Sequence, residues 1–235
     1  MKKKLKLVVL SGAGISAESG LGTFRDSGGL WDNYKIEDVA TPEAWKKDTR
    51  RVLDFYNIRR KINNEASCNL AHHIIANLEE ILDVTIVTQN IDNLHERAGS
   101  STVIHLHGEI TKSKSSGPKQ ESVYYDIKGD ELNIGDLCPD GYQLRPHVVW
   151  FGEEVPLLDK AASIIAEADL FLVIGTSLLV YPAAGLIHVV SLSCKCFAID
   201  PNKIPIPSNF THITSNATDG ILEFESYVRN FNREA

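Results

Sequence analysis

Short apolar runs alternate along the chain with longer stretches in which apolar residues recur every three or four positions. The runs have the length of buried strands, and they occupy residues 7–10, 84–88, 103–108, 169–174 and 196–200. The stretches with helical spacing predict helices over residues 50–63, 67–80, 157–168, about 181–192 and 220 to about 232. Strands that alternate with helices in this way predict a doubly wound α/β fold with a parallel sheet.

Details of the helical pattern predict which faces are buried. Thr41 and Pro42 predict a helix start, because Thr is a favoured N-cap and Pro is tolerated at the first helical position. The residues expected to face a core are Val52, Phe55, Ile58 and Ile62 in the helix over 50–63, and Leu70, Ile74, Ile75 and Leu78 in the helix over 67–80. Tyr56 and Arg59 lie three residues apart and therefore share one helix face.

Residues 111–145 interrupt this alternation. They are poor in apolar residues and rich in Ser, Lys, Gly and Asp, and only Val123-Tyr124-Tyr125 indicates a short strand. This stretch is predicted to be a small inserted module or a long loop.

The first apolar run leads into a glycine-rich loop. Residues 12–17, Gly-Ala-Gly-Ile-Ser-Ala, fit the pattern of a dinucleotide-binding turn. Gly12 allows the tight turn, Gly14 lets the backbone approach a pyrophosphate, and Ala17 lets the next helix pack closely on the strand. The alternative is an ordinary glycine-rich turn between a strand and a helix. The loop and the residues after it carry more polar side chains than phosphate binding requires. These residues are Ser16, Glu18, Ser19, Thr23, Arg25 and Asp26.

Polar or glycine residues follow each predicted strand of the sheet. The carboxyl ends of parallel strands lie at one edge, so these residues are expected to converge on one crevice. They are residues 12–25, residues 89–92, His107, residues 175–177 and Asp200.

Composition limits the class of partner. With 235 residues and 43% hydrophobic content, the chain can bury one large core. The net charge of −7 argues against nucleic acid as the main partner, because a phosphate-binding surface needs a basic excess. A basic peptide suits this charge better.

Export and membrane insertion are both disfavoured. The apolar run 7–10 is shorter than the roughly 7–15 residues of a signal-peptide core. Residues 170–194 contain no charged side chain, but Gly175 and Pro182 interrupt them, so a buried sheet strand is expected rather than a membrane span. The four cysteines, Cys68, Cys138, Cys194 and Cys196, form no Cys-x-x-Cys pair, which suits a reducing compartment. A cytoplasmic location is expected.

Taken together, the motifs closely resemble those of the sirtuins, the NAD-dependent protein lysine deacylases. The resemblance runs from about residue 5 to 230, and it is carried by Gly-Ala-Gly-Ile-Ser-Ala-Glu-Ser-Gly (12–20), Thr-Phe-Arg (23–25), Thr-Gln-Asn-Ile-Asp-Asn-Leu-His (88–95), His-Gly (107–108), Val-Val-Trp-Phe-Gly-Glu (148–153) and Gly-Thr-Ser (175–177). It implies a Rossmann-like large part at about 1–30, 77–110 and 146–235, and a small part at about 31–76 and 111–145.

In sirtuins the bond between nicotinamide and ribose breaks, and the acyl group of a modified lysine ends on ADP-ribose. The resemblance makes His107 the base that activates a ribose hydroxyl, which suits an imidazole because it titrates near neutral pH. The alternative for His107, and the favoured interpretation of His105, is a strand-end histidine that bonds to a backbone carbonyl.

The resemblance also implies a set of NAD-binding residues. Asn90 and Asp92 would bind the nicotinamide amide, since Asn and Asp together can offer a donor and an acceptor. Phe24 would exclude water from the reacting centre. The full set is Gly12, Ala13, Gly14, Ser16, Glu18, Phe24, Arg25, Gln89, Asn90, Asp92, Gly175, Thr176, Ser177, Asp200 and Ala217. A hydride-transfer enzyme is disfavoured, because the resemblance places Asp200 at the adenosine ribose, whereas dehydrogenases use an acidic residue about 20 residues after the glycine loop.

The substrate side follows from two further segments. Residues 148–153 resemble the segment that pairs with the substrate backbone, and the implied contacts are Val149, Phe151, Gly152 and Glu153. Tyr56 and Arg59 resemble the Tyr-x-x-Arg pair of sirtuins that accept acidic acyl groups such as succinyl, because a guanidinium can bind a carboxylate bidentately. The alternative is an ordinary polar helix face.

The chain departs from the sirtuin pattern at the structural zinc. Sirtuins usually hold this zinc with two Cys-x-x-Cys pairs, whereas Cys138 is the only cysteine between His107 and Arg145 and serines (113, 115 and 116) occupy the region of the first pair. No zinc is therefore predicted. The expected partners are acylated-lysine proteins or peptides, and the chain is expected to be a monomer. ADP-ribosyl transfer or NAD hydrolysis, and a non-catalytic NAD-sensing module, are the competing functions.

Overall fold

The protein is described here from a computed structural model, which covers residues 4–22, 34–118 and 123–234. Its main sheet contains six parallel strands. They are β1 (Lys6–Ser11), β2 (Asp83–Thr88) and β3 (Val103–His105), and, later in the chain, Leu170–Ile174, Lys195–Ile199 and Phe210–Ile213. Three further strands, β4 (Gly108–Ser115), β5 (Tyr124–Asp126) and β6 (Leu144–Val148), form a separate antiparallel sheet, so the last three strands of the main sheet are β7, β8 and β9.

The strand order of the main sheet is β3-β2-β1-β7-β8-β9. Strands β1 to β3 are added in one direction from the centre of the sheet, and strands β7 to β9 are added in the other direction. This is the strand order of a doubly wound dinucleotide-binding sheet. The predicted fold class is confirmed. The reversal lies between β1 and β7, and ligands of such sheets bind at that point.

The register aligns the carboxyl ends of the strands. Ser11 of β1 pairs with Thr88 of β2 on one side and with Ile174 of β7 on the other. Thr88 in turn pairs with His105, and Ile174 pairs with Ile199 of β8. The residues that follow these positions therefore lie along one edge of the sheet.

Helices cover both faces of the main sheet. They include α5 (Leu70–Asn77), α7 (Leu158–Ala166) and α8 (Ala217–Glu234). All five residues of β7 are buried, with Leu172 and Ile174 in the cluster formed with α5 and α8 and Phe171 and Val173 in the cluster formed with α7. Burial on both faces explains why this strand is apolar throughout.

The remaining helices are short except for one. They are α1 (Gly14–Ala17), α2 (Ile36–Val39), α3 (Pro42–Lys47), the long helix α4 (Thr49–Glu65) and α6 (Leu94–Arg97). The predicted start at Thr41 is confirmed, because its side chain accepts a hydrogen bond from the Ala44 amide. Ile58 and Leu70, predicted to face a core, are exposed instead. Ile58 lies nearly opposite the buried face of α4, and Leu70 is the first residue of α5.

A third apolar cluster joins α4 to the small sheet. It contains Val52, Phe55 and Tyr56 from the helix and Ile110, Val148 and Trp150 from or beside the strands. The helix α5 belongs instead to the main core, although the predicted division assigns residues 31–76 to the small part. We propose that the helical portion of the small part ends with α4.

Three parts of the predicted secondary structure are corrected. Residues 111–145 contribute strands from both of their ends, β4 and β6, although only residues 123–125 are predicted as a strand. The helix predicted at about 181–192 is a short 3-10 helix, Ala183–His188. The edge strand β9 is not predicted, because Thr211 and His212 interrupt its apolar pattern.

Within the described ranges no helix is both long and apolar enough to cross a membrane. All four cysteines are free thiols.

Candidate active site

Two glycine turns meet at the point where the sheet reverses. The Gly12 amide donates to the Ile174 carbonyl, and the Gly14 amide donates to the Gly175 carbonyl at 2.8 Å. A Cβ atom on Gly14 would lie 2.7 Å from the Gly175 Cα, so no larger residue fits between the two turns. Gly175 itself has φ 62°, a conformation that glycine adopts without strain. The glycines thus allow the two backbone turns to touch. This contact is a second reason for glycine at these positions, besides the predicted approach of a pyrophosphate.

The loop after β2 carries a buried polar network. The Asn90 Nδ2 group donates to the Gly12 carbonyl and to Ser16 Oγ, both at 3.2 Å. Ser16 Oγ donates in turn to Asp92 at 3.1 Å. Burial raises the pKa of Asp92, although the Leu94 amide and Ser16 oppose this rise. The structure therefore brings together three of the predicted site residues, Ser16, Asn90 and Asp92.

Gln89 and Thr176 connect this loop to the turn after β7. Gln89 Nε2 donates to Thr176 Oγ1 at 3.1 Å, and Thr176 Oγ1 also accepts from the Leu178 amide. Leu178 has φ 56°, which is uncommon for a non-glycine residue and marks local strain next to Ser177. The sequence gives no signal for this strained position.

His107 lies just beyond the end of β3, with its ring fixed by one hydrogen bond. Its Nδ1 is 2.9 Å from the Gln89 carbonyl oxygen, and a carbonyl can only accept, so Nδ1 carries a proton. Burial lowers the pKa of His107, and the bond to Gln89 only partly opposes this effect. At neutral pH the ring is therefore uncharged, with the lone pair on Nε2. This is the tautomer that a general base needs.

Asp200, Glu18 and Ala217 lie near the ends of β8 and α8. Asp200 follows β8 and accepts a hydrogen bond from the Asn202 amide, while Ala217 is the first residue of α8. The Glu18 carboxylate accepts from the amide and the hydroxyl of Thr218. Glu18 therefore stabilises the first turn of α8 in this structure, and its contact with a cofactor stays a prediction.

Tyr56 of α4 is buried, with 1% of its surface exposed. The Trp150 Nε1 group donates to the Tyr56 hydroxyl at 3.0 Å. The Arg59 guanidinium lies 5.8 Å from the centre of the Tyr56 ring. Burial lowers the pKa of Arg59, while the charges of Tyr56 and Asp92 oppose the decrease. The predicted Tyr and Arg pair thus lies within electrostatic reach of Asp92 in the predicted nicotinamide pocket.

The segment after β6 runs beside His107. The Val149 amide donates to the His107 carbonyl at 2.9 Å, and the Phe151 amide donates to the Ala40 carbonyl at 3.0 Å. Because both amides bond inward, a peptide strand added at these two residues would have to donate to their carbonyl groups. Gly152 is exposed and has φ 90°.

The Glu153 carboxylate also points into the protein. It bonds to the Arg145 guanidinium at 2.7 Å and accepts from the Trp150 amide at 2.8 Å. Arg145 lies 3.3 Å from the centre of the Trp150 ring. These contacts give Glu153 a role in shaping the turn, and a substrate contact stays a prediction. Sequence reasoning assigns no role to Trp150 or Arg145, although both lie in or beside a quoted motif.

Two predicted site residues, Phe24 and Arg25, lie outside the described residues.

The region of the missing zinc cysteines contains a hydrogen-bonded pair. The Cys138 thiol donates to Ser115 Oγ at 3.4 Å, and both residues are buried. Cys138 also begins a tight turn, in which its carbonyl accepts from the Gly141 amide. Across the part of the chain that the structure covers, no group of three or more His, Cys, Asp or Glu residues is arranged to hold a metal ion.

Comparison with known proteins gives consistent matches. A sequence profile described as the Sir2 family matches residues 12–182. A protein of Bacteroides thetaiotaomicron named NAD-dependent protein deacylase is 49% identical over 227 residues, which cover 94% of this chain and 97% of that protein. A protein of the same name from Helicobacter pylori strain J99 is 51% identical over 219 residues, which cover 92% of each.

Solved structures match over almost the whole chain. A Sir2 homologue in complex with NAD has a TM-score of 0.85 and 37% identity, covering 97% of this chain and 91% of its own. A Sir2 mutant with a deacetylated p53 peptide and 3′-O-acetyl-ADP-ribose has a TM-score of 0.78 and 30% identity, covering 97% and 94%.

Proposed function

The chain belongs to the Sir2 family, and we propose that it acts as an NAD-dependent protein lysine deacylase that removes succinyl and malonyl as well as acetyl groups. The products would be nicotinamide, the free lysine side chain and O-acyl-ADP-ribose. The contact between Trp150 and Tyr56, beside Arg59, carries the proposal for acidic acyl groups.

The polar groups at the sheet edge fit NAD. When bound, NAD supplies the nicotinamide leaving group and the ribose that receives the acyl group. Both hydrogens of Asn90 Nδ2 are used within the protein, so Asn90 can offer its Oδ1 acceptor to a ligand. Each Asp92 oxygen accepts one hydrogen bond and has room for another. Two acceptors would therefore be available to the amide N–H groups of nicotinamide, and we expect a main-chain amide of the same loop to serve the amide oxygen.

His107 would act as the base. Its Nδ1 proton is held by the Gln89 carbonyl, so Nε2 is available to take a proton from a ribose hydroxyl. The Val149 amide holds the His107 main chain and brings the predicted peptide-binding segment next to the base.

Hydrogen bonding at Tyr56 supports a pocket for a carboxylate. The Trp150 indole occupies one lone pair of the Tyr56 hydroxyl, and the hydroxyl keeps its own proton to donate. Arg59 stays charged despite its lowered pKa, because guanidinium groups remain protonated in proteins. One phenol donor and one guanidinium can together hold the far carboxylate of a succinyl group.

The proposal is tested by comparing two arginine variants of the same helix. Arg59→Met should lower kcat/KM for a succinyl-lysine peptide by about tenfold or more, because a charged hydrogen bond is lost. The same substitution should lower kcat/KM for an acetyl-lysine peptide much less. Arg51→Met is the matched control, since Arg51 pairs with Asp38 at the surface. The measurement is O-acyl-ADP-ribose formation by mass spectrometry.

Other outcomes separate the alternatives. Equal losses with both peptides in Arg59→Met would contradict the acidic acyl pocket. Release of nicotinamide without acyl transfer would favour NAD hydrolysis or ADP-ribosyl transfer, and binding of NAD without any cleavage would favour a sensing module.

A further inference from the structure

A second histidine, His105, bonds to the loop that carries the predicted nicotinamide-binding residues and has a partner on each side of its ring. Its Nδ1 is 3.0 Å from the Asn90 carbonyl oxygen, and its Nε2 is 2.7 Å from the Glu96 carboxylate. The side chain of His105 is only 7% exposed. His105 thus connects α6, which carries Glu96, with the loop that holds Asn90 and Asp92.

The partners of His105 determine its protonation. A carbonyl oxygen and a carboxylate both accept hydrogen bonds, so both ring nitrogens must donate. A histidine with two N–H groups is an imidazolium cation. Among the described residues, His107 has one such acceptor partner, the Gln89 carbonyl, and burial lowers its pKa so that it is neutral. The two histidines therefore hold consecutive carbonyls, those of Gln89 and Asn90, in different charge states.

We infer that His105 is a positioning residue whose imidazolium, fixed by Glu96, holds the Asn90 carbonyl and thereby the nicotinamide-binding loop. The inference rests on the proposed function, because the nicotinamide role of Asn90 and Asp92 is part of that proposal. The Asn90 side chain and Asp92 are joined through Ser16, so a displaced Asn90 carbonyl would disturb both acceptors.

The charges around His105 support the cationic form. Burial alone would lower the pKa of His105, but the hydrogen bond and charge of Glu96 outweigh it, and the pKa is raised. In the same way, His105 outweighs the burial of Glu96 and lowers its pKa. Within the described part of the chain, the other titratable groups whose charges interact with His105 are Asp92, Glu109, His95 and His147.

This arrangement predicts an alkaline limit to nicotinamide binding. Below its raised pKa, His105 donates to both partners. As the pH rises through that pKa, one proton is lost, and a nitrogen lone pair then faces either the Asn90 carbonyl or Glu96. His107 cannot produce this limit, because its pKa is lowered and it is already neutral in that range.

The test uses two amides that replace different ring nitrogens of His105. In His105→Asn the side-chain nitrogen lies where Nδ1 was, so it can still donate to the Asn90 carbonyl but cannot titrate. In His105→Gln the amide reaches toward Glu96 and leaves Asn90 without a donor. The measurement is the inhibition constant for nicotinamide between pH 6 and 9, with an acyl-lysine peptide that the unmodified enzyme turns over.

His105→Asn should bind nicotinamide at pH 6.5 as the unmodified protein does and should lose the alkaline weakening. His105→Gln should bind nicotinamide about tenfold more weakly at every pH. Glu96→Gln should move the alkaline limit to lower pH, and more so than Glu109→Gln, which removes the same charge at a group that does not bond to His105. Thermal unfolding of each variant identifies those that are merely unstable.

The inference is overturned if the folded His105→Asn and His105→Gln variants behave alike, or if the alkaline limit survives in both. An unmodified protein that cleaves no NAD with any acyl peptide would instead remove the proposed function, which is a separate result.

Discussion

At the scale of single residues, hydrogen-bond partners assign different states to the two histidines at the end of β3. Sequence alone favours His105 as a carbonyl-bonded histidine and His107 as a base. Both rings bond to a carbonyl, so that contact does not separate them. What distinguishes them is Glu96, which approaches the second nitrogen of His105, nine residues away along the chain.

The lowered pKa of His107 predicts the acidic side of the rate profile. The rate should fall as the pH drops through that pKa, which lies below 6.5, because protonation at Nε2 removes the base. His107→Ala should lose about 10² to 10⁴ in kcat with its fold intact. The measurements are kcat/KM against pH for the unmodified protein and circular dichroism of the variant. A His107→Ala enzyme with near-normal turnover would exclude His107 as the base.

At the scale of elements, the two glycine turns behave as one unit. Gly175→Ala would place a Cβ against the Gly14 and Ile15 backbone, and it would also strain a residue at φ 62°. We expect a loss of at least about 2 kcal/mol in the free energy of unfolding and weaker NAD binding. Gly129→Ala is the matched control, because Gly129 has φ 77° but open space around it. It should cost about 1 kcal/mol.

Urea unfolding measures the change in the free energy of unfolding for each glycine variant, and titration with NAD measures the change in NAD affinity. Equal destabilisation by Gly175→Ala and Gly129→Ala would show that the close approach of the turns contributes nothing beyond backbone strain.

The long helix α4 anchors the small module. Arg60 is completely buried and donates to the main-chain carbonyls of Ile110 and Asp130 and to the Asn57 side chain. Asn57 also bonds in both directions to the Leu132 main chain. Burial lowers the pKa of Arg60 to about 10, so it is still charged at pH 7. Because no zinc is predicted, other contacts must hold the module, and the sequence pattern of α4 does not single out these two side chains for that role.

Arg60→Ala should therefore loosen the module. The variant removes the Arg60 donor from the buried Ile110 carbonyl and from the half-buried Asp130 carbonyl, and we expect a loss of about 3 kcal/mol. Arg51→Ala, which breaks an exposed ion pair, should cost less than about 1 kcal/mol. Urea unfolding measures both, and hydrogen exchange should show faster exchange in residues 124–145 for Arg60→Ala alone. Unchanged exchange there would contradict the anchoring role.

At the scale of the whole molecule, the sequence predicts the fold class and the meeting of strand ends well. The apolar runs 84–88 and 169–174 lie close to β2 and β7, because strands buried on both faces are apolar throughout. The edge strand β9 and the strand β6 are missed, since each is only partly buried and mixes polar residues into its pattern. Contacts across the chain, such as Trp150 to Tyr56, are set by packing and leave no local pattern.

The whole molecule should also contain no zinc. The buried position next to Ser115 holds one thiol, Cys138, and a tetrahedral zinc site needs four ligands. Metal analysis of the purified protein should find much less than one zinc per chain, and EDTA should leave Tm unchanged. A stoichiometric zinc ion whose removal lowers Tm would contradict this prediction.

The anchor made by Asn57 and Arg60 has an evolutionary consequence. Its partners in the small module are main-chain groups, which every amino acid other than proline provides alike. A substitution among the module's side chains therefore leaves these four hydrogen bonds intact, whereas a change at either of the two helix positions would break two of them. Selection on these four bonds should fall on α4, while Asp130 and Leu132 stay constrained by the hydrogen bond to Asn64 and by burial.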